Sequence, residues 1–267
     1  PNTGSRKSWA AGDAHSRAVR LALIALTGEM GYPSALTARH WGFQDVLFGG
    51  RELTLRQPFA DYVMTNVLFK ISFPAEFHAQ TAVECAMQLH DEVAPRLDDI
   101  DRVVIQTQED GVRIIHKTGP LANPAHRDHC LQYMVAIPLI FGRLTADDYE
   151  DAVAADPRVD ALRAKMEVVE NEAFTRNYFD LDKRGIGNAI QIFYQDGSAS
   201  GRVAVEYPIG HRRRRDEGIP VLVDKFQDAL ATRFEASQVE AIAAVTDDQA
   251  RLEQTAVRDF VALWVST

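Results

Sequence analysis

The spacing of apolar residues changes period twice along this 267-residue chain, and that change limits the folds open to it. Residues 10–31 place Ala14, Ala18, Leu21, Ala22 and Ala25 at helical spacing before a closing Gly, which predicts a helix with a face small enough for close packing. A short helix is expected after Pro33, then extended pieces at 45–48 and 52–57 around Gly49-Gly50. From about residue 67 the pattern is mixed. Residues 69–74 read as extended, 75–92 as a helix with apolar Phe77, Val83, Ala86 and Met87, and 102–108 as a strand. An apolar helix over 127–142, bent by Pro138, precedes a helix from Thr145, where Thr145-Ala146-Asp147-Asp148 has capping-box spacing. Another helix is read over 157–168. Runs 188–194 and 202–207 flank Asp196-Gly197 and give the best hairpin signal. Helical patterning then returns over 221–234, 237–245 and 257–265. The expectation is an α+β fold in which a mixed segment interrupts a helical one, with helices 75–92 and 129–142 against one sheet.

Composition narrows the function classes. Hydrophobic residues are 46% and charged residues 25%, the balance of a globular chain with a sizeable core. Lys and Arg number 29 against 38 Asp and Glu, a formal charge of -9, which argues against a general nucleic-acid binder. The longest apolar runs, 19–26 and 134–141, are too short for a bilayer, so no membrane partner is expected. The start, Pro1-Asn2-Thr3-Gly4-Ser5, has no Met and no signal segment, and reads as a fragment of a longer protein. Cys85 and Cys130 form no CxxC pair. They cannot by themselves ligate zinc or an iron–sulfur cluster, and read as buried thiols in a reducing cytoplasm.

There is no GxSxG, P-loop, GxGxxG or HExxH. Four spots stand out. Lys7 precedes the Ala10-Ala11-Gly12 helix start, as an anion-binding cation or a solvated lysine. Lys70 interrupts an apolar run, either paired or with its stem on the core and its head in water. Glu76 and His78 follow it in the first turn of the next helix, where Glu76 also suits the helix dipole. The third spot runs from Arg113 to Lys117 and on to Tyr133, with His116, His126 and His129. No ligand set closes there, so a proton-transfer or carboxylate-binding His is expected rather than a metal. The fourth, His211 to Arg215, is a phosphate site or, with acids following at once, a solvated or subunit-interface loop.

Residues 7–14 (KSWAAGDA), 28–33 (GEMGYP), 69–78 (FKISFPAEFH), 128–136 (DHCLQYMVA) and 205–211 (VEYPIGH) resemble the MmgE/PrpD family, in order along essentially the whole chain. The resemblance is strongest to its branch that dehydrates 2-methylcitrate. It implies a protein about twice as long, of which this chain matches the second half, while the first half supplies several active-site Asp and His. It also implies a mostly helical domain (1–66 and 210–267) interrupted by a smaller α+β lid domain (67–209), with the active site in the cleft between domains.

By this resemblance Lys7 is an active-site lysine, and Lys70 matches the lysine before the F-P-A stretch, with one extra residue intervening. His116 stands nearest to an expected loop tyrosine, and Cys130 to Tyr133 matches a Ser-containing motif with Cys in place of Ser. The implied reaction removes water from 2-methylcitrate to give 2-methyl-cis-aconitate in propionate breakdown, and extends to citrate or cis-aconitate. Charge then develops on a substrate carboxylate, which Lys7, Lys70 and Arg113 would stabilise. His78 and His116 would transfer protons, Cys130 and Tyr133 would contact substrate, and the principal base would lie in the missing half. A homodimer without cofactor or iron–sulfur cluster is implied. The other readings are a cis-aconitate decarboxylase-like enzyme or polycarboxylate isomerase, and a non-catalytic lid and dimerisation fragment.

Overall fold

The computed structural model describes residues 9–55 and 66–265, and the chain divides into two units, 1–66 and 67–267. In the first unit, α1 (Ala10–Leu26) is the expected helix, and Gly28 follows it at φ 93°. Residues 33–37 form turns instead of the second helix. The extended piece expected at 45–48 is instead part of helix α2 (Phe43–Phe48), which Gly49 closes in the left-handed conformation at φ 59°. The Gly-Gly pair therefore ends a helix rather than turning a hairpin. Of the described residues in this unit only Gly42 is buried. Leu21, Leu26, Met30, Tyr32 and Trp41 all lie exposed, so these residues have no core of their own.

The second unit opens with a 3-10 turn, Phe77–Ala79, that runs into α3 (Gln80–Val93). Strand β1 (Ile100–Thr107) follows, then α4 (Glu109–Ile115), α5 (Pro124–Arg127), α6 (Leu131–Phe141), α7 (Asp151–Ala154) and α8 (Pro157–Arg163). Next come β2 (Met166–Glu170), α9 (Glu172–Phe179), β3 (Asn188–Tyr194) and β4 (Val203–Val205). Helices α10 (Arg215–Ala231), α11 (Ala236–Thr246), α12 (Gln249–Gln254) and α13 (Val257–Ala262) complete the unit. Among the described residues no helix is long and apolar enough to cross a membrane.

The sheet order is β2-β1-β3-β4. The expected hairpin is present, with Ile190 opposite Val203 in an antiparallel pair. Strand β1 pairs antiparallel with β3 and parallel with β2. A register shift between Ile100 and Arg102 lets Ile100 and Val103, an odd number of residues apart, both face the core. Residues 166–168 were expected to continue the helix from Pro157. The helix instead stops at Arg163, and Val168-Val169 go into the ladder beside β1, where β-branched residues fit well. Glu167 and Glu170 charge this outer strand, which discourages further pairing.

Helix α3 packs on β3 and β4, and α6 packs on α3 and α8. Ala82, Cys85 and Ala86 are fully buried, and their small side chains let α3 approach the sheet closely. Helix α6 is buried on every side from Leu131 to Ile140 and continues through Pro138 to Gly142, left-handed at φ 67°. Each fully buried Leu, Ile or Met there contributes about 1.5–3 kcal/mol of transfer free energy, which makes α6 the centre of this unit. The capping spacing at Thr145 is half realised. The Asp148 carboxylate accepts from the Thr145 N–H at 2.8 Å and its hydroxyl at 2.9 Å, above a 3-10 turn at Asp147–Tyr149.

Candidate functional site

The piece expected to be extended, 69–74, is irregular and not a strand. Gln80 holds its bend, donating from Nε2 to the Phe73 and Ala75 carbonyls at 3.0 and 2.7 Å. Glu76 then caps the 3-10 turn by accepting the His78 N–H at 2.8 Å, and its Oε1 lies 2.8 Å from His78 Nδ1. On the other side of the ring, Nε2 lies 3.2 Å from the Tyr178 hydroxyl on α9. Asn188 Nδ2, at the start of β3, donates to the His78 carbonyl at 2.8 Å and ties the turn to the sheet.

Electrostatics fix the roles in this chain. Burial alone would raise the Glu76 carboxyl, but the hydrogen bonds and charge of His78, with a further push from His129, hold it below its ordinary value. Tyr178 is moved upward, first by burial and then by Asp110, so it stays a phenol at neutral pH. The Glu76 carboxylate meets the ring at Nδ1, and the other ring nitrogen, Nε2, faces the Tyr178 hydroxyl. A carboxylate orienting a histidine whose other nitrogen meets a hydroxyl is suited to moving a proton. Asp128 and His129 form a second such pair, with Asp128 Oδ1 at 2.6 Å from His129 Nδ1.

The MmgE/PrpD C-terminal domain model matches residues 73–250, and the N-terminal domain model matches 1–56. The chain belongs to the MmgE/PrpD family. It is similar to 2-methylcitrate dehydratase of Salmonella typhimurium, 60% identical over 99% of this chain and 56% of that protein. The 2-methylcitrate dehydratase of Cupriavidus necator is also 60% identical, over 99% of this chain and 55% of the relative. The mitochondrial 2-methylcitrate dehydratase of Yarrowia lipolytica is 58% identical over 99% and 51%. The chain thus spans about half the length of the curated relatives it matches.

Within this MmgE/PrpD chain the expected site residues fall into separate groups. Lys7 lies outside the described residues. Lys70 is exposed, its ammonium 5.0 Å from the centre of the Phe77 ring, and its carbonyl accepts from Lys225 Nζ at 2.8 Å. Of its two readings, the one with the head in water describes it. Arg113 and His116 are exposed at the end of α4. Cys130 and Tyr133, the residues expected to contact substrate, are buried in this chain. The Tyr133 hydroxyl donates to the Asp148 carbonyl at 2.6 Å, and burial pushes that phenol up to about 12. The Cys130 thiol donates to the Lys117 carbonyl at 3.5 Å. Burial likewise pushes the Cys85 thiol up to about 12, which makes it the inert thiol its sequence context predicts.

Tyr178 and Asp110 were not legible as site residues, because Tyr178 is 100 positions from His78 and only the fold brings the two together. The basic run after Gly210 is occupied internally. Arg214 bonds Glu84 at 2.7 Å and Glu217 at 2.6 Å, Arg212 and Arg213 both reach the Asp182 carbonyl, and His211 is buried. Among the described residues no group of three or more His, Cys, Asp or Glu is placed to hold a metal ion.

Proposed function

We infer that the full-length protein is a hydro-lyase that dehydrates 2-methylcitrate to 2-methyl-cis-aconitate in propionate breakdown. The observation that carries this reading is 60% identity, over 99% of the chain, to 2-methylcitrate dehydratases from separate bacteria. The Glu76–His78–Tyr178 arrangement supports it, because the elimination needs a group that exchanges a proton near neutral pH. In this reading His78 moves a proton at Nε2, with His116 as a second proton-transfer residue, and Glu76 and Tyr178 set the ring's orientation. Lys7, Lys70 and Arg113 balance the charge that develops on the substrate carboxylates. Cys130 and Tyr133, at the start of α6, contact the substrate.

The same reading makes residues 67–209 the lid domain and assigns 1–66 and 210–267 to the helical domain. The bare face of α1 supports it, since a helix with no buried residue is the state of a layer that other chain must complete. The reaction needs no iron–sulfur cluster or other cofactor, and the protein is a cytoplasmic homodimer. Alone, the chain is inactive.

The test compares the full-length protein with residues 1–267 on 2-methylcitrate, following the absorbance of the enoate product. Turnover by the full-length protein alone is the expected result. A full-length protein that leaves 2-methylcitrate unchanged sinks the assignment, and a chain active by itself sinks the statement about the fragment.

A further inference from the structure

Every polar group of His78 is engaged, by residues from three parts of the unit. Glu76, which caps the same turn, takes the backbone N–H at 2.8 Å and faces Nδ1 at 2.8 Å. Tyr178 on α9 lies 3.2 Å from Nε2. Asn188 Nδ2, at the start of β3, donates to the carbonyl at 2.8 Å. The grip of Glu76 is local, and so is that of Gln80 on the Phe73 and Ala75 carbonyls. Such bonds shape the turn without deciding where it stands. Asn188 is 110 positions away and belongs to β3, which has β1 on one side and β4 on the other. It joins the shaped turn to the sheet, and a regular element is the firmer support for a reacting side chain.

The surroundings fix the orientation of this amide. The His78 carbonyl can only accept, so the amide NH2 group faces it. The same nitrogen donates to Thr81 Oγ1 at 2.7 Å, and the Thr81 hydroxyl in turn donates to the Ile186 carbonyl at 2.5 Å. Asn188 is fully buried, and its Oδ1 has no hydrogen-bond partner among the described residues. A buried carbonyl left without a partner costs free energy. Asn188 thus gives up stability at one atom, while its donors go to His78 and Thr81.

We propose that Asn188 is a positioning residue for the dehydration, a role that rests on His78 moving the proton. Fully buried, it does not meet the substrate itself. It holds the backbone from which the His78 ring projects, and so sets where that ring stands against Tyr178 and the reacting group. A small displacement of a reacting group is costly, because the rate depends on its alignment.

The test uses the full-length protein with Asn188→Ala, His78→Ala and the double variant. Asn188→Ala should lower kcat on 2-methylcitrate by roughly 10- to 100-fold, the loss for a misplaced reacting group, with KM little changed. In the His78→Ala background the same change should cost nothing further, because its target is gone. A purely structural residue would lower kcat by the same factor in both backgrounds. The imidazole nitrogen NMR signals give a readout that needs no turnover, with those of His78 assigned by their loss in His78→Ala. Asn188→Ala should shift the His78 signals and leave those of the other histidines in place. If the wild type leaves 2-methylcitrate unchanged, the functional reading fails, and these signals alone decide whether Asn188 positions the ring. Asn188→Ser, whose hydroxyl falls one bond short of the His78 carbonyl, takes over if Asn188→Ala does not fold. Unshifted His78 signals, an unchanged kcat in an active enzyme, or an equal loss with and without His78 overturns the proposal, as does the failure of both variants to fold.

Discussion

The backbones of Phe69 and Gly210 touch: the Phe69 N–H donates to the Gly210 carbonyl at 3.1 Å, and a Cβ on Gly210 would lie 1.7 Å from the Phe69 oxygen. Two motifs far apart in sequence, 69–78 and 205–211, are thereby locked together, and only glycine leaves room for the contact. Gly210→Ala should destabilise the protein by about 1–3 kcal/mol, the range for an added group that forces the backbone to shift at a packed site. Urea denaturation measures it, and a midpoint equal to the wild type would contradict the close approach.

Glu76 holds His78 by the ring and by the backbone. Glu76→Gln in the full-length protein should reduce kcat by about 100-fold, the lower range for a disabled proton-transfer group, with KM little changed. Tyr178→Phe keeps the ring packing at 5.6 Å and removes only the hydroxyl, so a smaller loss is expected. Full activity in both variants would take this cluster out of the mechanism.

Lys70 is exposed in this chain, so its removal should leave the fold intact. If its ammonium serves a substrate carboxylate, Lys70→Met lowers turnover of the full-length protein by about 3 kcal/mol of barrier, the loss for one oxyanion donor. Lys70→Arg recovers little of it, because a planar guanidinium replaces a compact point charge. Steady-state kinetics on both variants decide the matter, and near-normal Lys70→Met activity strikes the residue from the site.

His211 is 1% exposed, and burial lowers its affinity for a proton, with Arg212 and Arg213 pushing the same way. A histidine that resists protonation only when folded contributes its full stability above its unfolded value, about 6.5. That contribution falls away as the pH drops from there towards the lower folded value. Urea midpoints between pH 7.5 and 5 should therefore decline more steeply in the wild type than in His211→Gln. Parallel declines would show that another group dominates.

Cys85 and Cys130 are each buried and unpaired, which leaves no thiolate pair for a cluster. Turnover of the full-length protein is expected to survive EDTA, and elemental analysis to find no stoichiometric iron or zinc. Either metal at one per chain would reverse the cofactor assignment.

What could be read in advance followed local rules. The helix at 80–93 and the hairpin around Asp196-Gly197 follow from period and turn chemistry that neighbouring residues settle among themselves. Strand β2 was hidden because Leu162, Met166 and Val169 keep a helical rhythm, and only its partner β1 makes it a strand. The Gly49-Gly50 pair carries the same signal for a turn and for a helix stop, and the left-handed residue at Gly49 is common to both. His78 was legible from its motif, but its partner Tyr178 comes through a contact that no local pattern encodes.

The position of β1 between β2 and β3 also has a consequence during synthesis. When β1 has left the ribosome, neither neighbour exists yet, and β2 begins only at Met166. Roughly sixty residues separate them, about 3–12 s at the usual elongation rate of roughly 5–20 residues per second. Throughout that interval an apolar strand has two open edges, and the helix that will fill the core, α6, emerges part-way through it. The nascent chain is thus most exposed to misassociation before its sheet can form, a window in which a holding chaperone would have its largest effect on yield.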